Sequence, residues 1–213
     1  MTRVQDWDAW AAAWTVLSRL FSQAPDAESL DQVRSAEMLA SWPLPDGPRT
    51  AEGLAGVTAS REQGETVEQV GDDLWLLVRG PGKARAVPWE SVYLSREGLV
   101  FEEETLQVRQ FYRRFGLQAP RLNKEPDDHI SLELEFMGTM LLRAMDTLEA
   151  GGDAEPFIEA HHQFATEHLL RWAPEFFSRV EANAETAFYR GMGILGQDAC
   201  AQLAAVLTPD QQG

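Results

Sequence analysis

The residues with the most chemical potential sit in one run, Glu125-Pro126-Asp127-Asp128-His129, with Glu133 four residues after the histidine. An imidazole beside two carboxylates can serve as acid, base and orienting group, here His129, Asp128 and Glu133. The same residues also have a purely conformational use. An aspartate just ahead of an apolar periodic run accepts the exposed amide hydrogens of a helix's first turn, so Asp127 or Asp128 is expected to cap the helix that follows. Pro126 holds the preceding backbone extended, and His129 and Glu133, four apart, can pair on one helical face. Taken alone, these residues leave both uses open.

Other candidate constellations are weaker. Glu159 and His162 form one Glu-x-x-His pair, but a di-metal bundle needs a second pair and two more inward glutamates, so no metal site is expected. The histidines 161, 162 and 168 read as structural and partly exposed. Gly191-Met-Gly-Ile-Leu-Gly196 spells G-x-G-x-x-G, yet the preceding segment from Ala182 to Arg190 is helical and no strand leads into it, so a helix junction with close packing is expected rather than a dinucleotide site. Ser91 and Ser131 have no triad partners at informative spacing. No catalytic residue is assigned.

The elements that must position these residues are helical. Trp7, Trp10, Trp14, Leu17 and Phe21 recur at three- and four-residue spacing, which predicts a helix from about Asp6 with that face in the core. Asp26 is expected to cap a second helix reaching about Ser41, ended by Pro43, Pro45, Gly47 and Pro48. Two more helices are predicted over 49–79, the second with Val67, Val70, Leu74, Leu77 and Val78 inward. The stretch from Gly80 to Leu94, carrying Pro81, Pro88, Trp89 and Tyr93, has little periodicity and reads as a long loop suited to ligand contact. Helical spacing resumes over Phe101–Phe115 and stops at Gly116; a long helix follows from Asp128 to Leu148, and Pro156 and Pro174 are each expected in the first turn of a later helix. The class is all-α, a bundle of about nine to eleven helices in one domain, with a connector near 117–127 between an N-terminal lobe of about 1–120 and a C-terminal lobe of about 127–213.

With 213 residues, 34 acidic and 18 basic side chains, the chain carries a formal charge of −16. Such a surface repels a nucleic acid backbone and attracts cationic partners. The single cysteine, Cys200, and the lack of an apolar export or spanning segment point to a soluble protein of a reducing cytoplasm.

Taken together, Pro88-Trp89-Glu90-Ser91-Val92-Tyr93, then Leu106-Gln-Val-Arg109-Gln-Phe111-Tyr112, the Glu125–His129 run and Phe188-Tyr189-Arg190 resemble the TorD/DmsD family of molybdoenzyme chaperones. The resemblance runs from about residue 70 to 196. It implies a cytoplasmic, non-enzymatic protein that binds the twin-arginine leader and apo-form of a molybdopterin oxidoreductase, assisting cofactor insertion and preventing premature export. It carries the leader-binding role onto Leu77, Gly80, Pro81, Trp89, Ser91, Tyr93, Pro126, Asp128 and His129. Trp89 and Leu77 are then expected on the leader's apolar run, and Asp128, with Glu90 or Glu125, on its arginines. No cofactor is implied beyond a guanosine nucleotide suggested for some members; the oligomeric state would be a monomer or a lobe-exchanged dimer. The rival readings are a helical enzyme acting through Asp128 and His129, and a generic acidic scaffold.

Overall fold

The structure is a computed structural model and describes residues 6–208. Among these, regular structure is helical throughout: α1 (Trp7–Ser22), α2 (Ala27–Val33), α3 (Ala36–Ala40), α4 (Thr50–Glu62), α5 (Val67–Val78), α6 (Glu90–Leu94), α7 (Glu103–Arg114), α8 (Ile130–Glu149), α9 (Glu155–Phe164), a π-helical segment (Ala165–Leu169), α10 (Leu170–Asn183) and α11 (Ala187–Leu207). The all-α expectation holds.

The chain forms two compact units, each drawn from distant parts of the sequence. One takes the chain through Arg19 together with Pro88–Ala173; the other takes Leu20–Val87 together with the chain from Pro174. The segment at 117–127, read from sequence as the connector between lobes, lies wholly inside the first unit. The physical reason is local. Arg109 of α7 donates to Asp127 from Nε at 3.0 Å and Nη2 at 2.6 Å, and to Asn123 Oδ1 from Nη1 at 3.0 Å, which fastens the segment to the helix before it.

In the first unit, the rings of Trp10 and Trp14 pack at 5.2 Å, tilted by 31°, and are buried, as their spacing requires. Buried Leu134, Met137, Met140, Leu141 and Ala144 form the inner face of α8. Phe111 and Tyr112 of α7, Phe136 of α8 and Phe164 of α9 build an aromatic cluster, with Phe136 and Phe164 only 4.6 Å apart. Ser18 ties α1 to the start of α8 by donating to the Ser131 carbonyl at 2.8 Å.

In the second unit, the glycine motif does close packing inside α11. A Cβ at Gly191 would lie 2.7 Å from the Gly53 carbonyl oxygen and 2.8 Å from the Val57 nitrogen of α4; one at Gly196 would strike the Phe177 ring. The motif therefore lies within one helix rather than at a junction of two. The first turn of α11 is satisfied by side chains from elsewhere in the unit: Asp73 accepts from the amides of Glu185 and Thr186, and Glu65 from those of Ala187 and Phe188.

Several boundaries differ from expectation. Asp26 caps α2 as predicted, but Ser35 starts a separate α3, so the second helix is two. The expected long loop contains the short helix α6. Pro156 opens α9 as predicted, whereas Pro174 lies inside α10. It follows the π-helical segment, where the hydrogen-bond ladder is already offset, so the missing amide costs less there.

Candidate functional site

The two stretches singled out in the sequence meet in the first unit. Trp89, the N-cap of α6, and His129, the N-cap of α8, face each other in an isolated antiparallel bridge. Glu90 donates its amide to the Asp128 carbonyl at 3.0 Å, and Ile130 donates to the Pro88 carbonyl at 2.8 Å. The rings of Trp89 and His129 pack edge-on at 5.8 Å. Both residues are partly exposed, and so is Tyr93 on α6, whose ring lies 5.2 Å from that of Trp172.

The cap of α8 is His129 and neither aspartate. Its Nδ1 accepts from the Ser131 amide at 3.2 Å and sits 2.8 Å from Ser131 Oγ, so the ring proton belongs on Nε2. Asp128 is fully buried and serves a different helix. Its Oδ2 accepts from the Ser91 amide at 2.7 Å, in the first turn of α6, and its Oδ1 from the Thr105 hydroxyl at 2.8 Å, in the first turn of α7. One carboxylate thus satisfies an amide at the start of α6 and a hydroxyl in the first turn of α7, where a negative charge is favoured. Asp127, also buried, is held by Arg109.

Beneath the bridge lies a buried polar layer. Glu90 has no exposed surface, and its two carboxylate oxygens lie 3.0 and 3.1 Å from His168 Nδ1. The π-helical segment carries His168, and such segments often re-aim a side chain. Glu133 receives the indole N–H of Trp172 at 3.0 Å. Burial, then the charge of Glu90, pushes the Glu133 carboxyl well above the usual carboxylate range. His161 and His168 are buried rather than partly exposed, and only His162 keeps the expected partial exposure. Among the described residues no group of three or more His, Cys, Asp or Glu side chains is disposed to hold a metal ion.

The expected site residues thus separate by access. Trp89, Tyr93 and His129 are partly open and Glu125 is exposed, ion-paired to Arg121 at 2.5 Å; Glu90, Ser91, Pro126 and Asp128 are buried. This corrects the expectation that Asp128 or Glu90 faces a leader arginine: the exposed carboxylate of the run is Glu125. Leu77, Gly80 and Pro81 belong to the second unit. The Leu77 side chain is fully buried in α5, which corrects its expected contact with a leader; Gly80 takes the left-handed conformation at φ +55 and Pro81 is exposed. The described bonds lead His129 to Ser131, Asp128 to Ser91 and Thr105, and Glu133 to Trp172.

Four supporting residues were given no part in the site by the sequence reading: Thr105, Arg109, His168 and Trp172. No local spacing marks them, because each acts across the fold. Trp75 of α5, 48% exposed, did carry a signal, being a large apolar residue off the buried stripe of its helix.

Residues 47–178 match the family model described as nitrate reductase delta subunit. The chain is 31% identical over 216 residues to the Tat proofreading chaperone DmsD of Salmonella typhi, covering 97% of this chain and 95% of that protein. It is 29% identical over 181 residues to the chaperone protein TorD of Vibrio vulnificus, covering 81% and 82%. A solved structure described as a redox enzyme maturation protein from Archaeoglobus fulgidus shares the fold, with a TM-score of 0.50 at 19% identity over 87% of this chain and 91% of the other. With its two motif segments joined in one bridge and these relatives along its length, the chain belongs to the TorD/DmsD family of redox enzyme maturation chaperones.

Proposed function

We propose that this chaperone acts in the cytoplasm on a molybdopterin oxidoreductase, binding the twin-arginine signal peptide and apo-form and holding them until the cofactor is inserted. The observation that supports this reading is the Trp89–His129 bridge, which sets two partly open rings side by side above the buried carboxylates of Asp128 and Glu90. A leader of this kind offers two guanidinium groups and then an apolar run. The indole of Trp89 suits either, through apolar contact or by lying under a cation, and Glu125 supplies an exposed carboxylate for a guanidinium. The acidic surface, −16 overall, favours the encounter.

In this arrangement Asp128 and Glu90 are positioning residues: Asp128 fixes the backbone of Ser91, and Glu90 anchors α6 through His168. Calorimetric titration with twin-arginine leader peptides, and with double-lysine versions of them, tests the proposal. Saturable binding that weakens on the lysine change is expected, because lysine lacks the planar fork of donors. No heat of binding with any leader would overturn it.

A further inference from the structure

The loop between α6 and α7 exposes its apolar side chains. Leu99, Val100 and Phe101 are 52%, 39% and 48% exposed, and Leu106, one turn into α7, is 49% exposed. Single exposed apolar residues are ordinary; four within eight positions form a patch. Phe101 also takes the left-handed conformation, at φ +64, which a residue with a Cβ and a bulky ring adopts only when its surroundings enforce it. The strain holds an aromatic ring at the surface, where burial gives no return within the chain.

Charge decides what could cover the patch. Within residues 96–106, Glu97 and Glu103 are exposed and Glu102 and Glu104 are partly so, against the single cation Arg96. A second copy of this chain would bring like charge against like. An apolar peptide run flanked by cations meets both features at once. The patch is also wired to the bridge, because Thr105, adjacent to Leu106, donates its hydroxyl to the same Asp128 whose carbonyl accepts from Glu90 in the Trp89–His129 pairing. Resting on the leader-binding reading above, we infer that Leu99, Val100, Phe101 and Leu106 form the subsite for the apolar run of the signal peptide, while the bridge and Glu125 receive its arginines.

The test uses the full chain and the double variant Phe101→Gly with Leu106→Ser; glycine suits the backbone at 101, so folding is retained. Two labelled peptides are titrated by fluorescence anisotropy: a complete twin-arginine leader, and the same leader cut short before its apolar run. The complete leader should bind the variant about tenfold more weakly than the wild type, with the short peptide unchanged. The inference is overturned if the variant binds the complete leader as the wild type does, or if it loses both peptides equally. If the wild type binds neither peptide, the leader-binding reading fails, and the subsite with it.

Discussion

Trp172 donates its indole N–H to Glu133 in the interior of the first unit, at 3.0 Å, and burial raises the pKa of the carboxyl that receives it. Because the folded state raises the pKa of Glu133 above the ordinary 4.5, its contribution is complete below that value and is lost as pH rises towards the folded pKa. Glu133→Gln keeps an acceptor for Trp172 and stays neutral at every pH. Thermal melts between pH 4 and 8 should show the variant matching the wild type at the acid end and exceeding it at the alkaline end, by at most about 1.4 kcal/mol per pH unit. Parallel profiles would contradict a raised pKa at Glu133.

His161 has the opposite sign. Burial, with a smaller effect from His162, lowers its pKa from 6.5 to about 3, and neither ring nitrogen has a hydrogen-bond partner among the described residues. The native state therefore holds it neutral, and stability present above 6.5 drains away as pH falls towards 3. His161→Leu should flatten the acid limb of the stability curve, read by urea unfolding at pH 4, 5 and 7. A limb as steep as the wild type's would assign the acid sensitivity to other groups.

Asp128→Ala should destabilise by about 2 to 4 kcal/mol, because it strands a buried amide on Ser91 and a buried hydroxyl on Thr105. This exceeds the roughly 1 kcal/mol of a simple surface cap. Thr105→Val removes one of the two bonds and should cost about 1 kcal/mol. Equal losses for the two variants, measured by chemical denaturation, would mean that the Ser91 bond contributes nothing.

Gly191→Ala should destabilise by about 1 to 3 kcal/mol through overpacking against α4, and leader affinity in the still-folded protein should not change. A melting temperature equal to the wild type's would show that the two helices can part at no cost.

Regular elements were legible wherever a local rule set them. The tryptophan stripe of α1, the Asp26 cap and the stop at Gly116 each follow from a few neighbouring residues. The cap of α8 was misassigned because Asp127, Asp128 and His129 are three adjacent acceptors, and their choice is made by Arg109, Ser91 and Thr105, far away in sequence. Phe101 was read as the first residue of a helix by its spacing, yet α7 begins at Glu103 and the ring stays outside. The division into units was illegible for the same reason: it depends on which distant helices pack together, and periodicity says only that a face is buried.

The pairing of Trp89 with His129 joins segments forty residues apart into one stiff piece. A lesion at either motif will therefore be felt at both. Substitutions at 89 and 129 should behave as a single genetic unit, the second adding little once the first is made, even where only one of the two side chains touches the ligand.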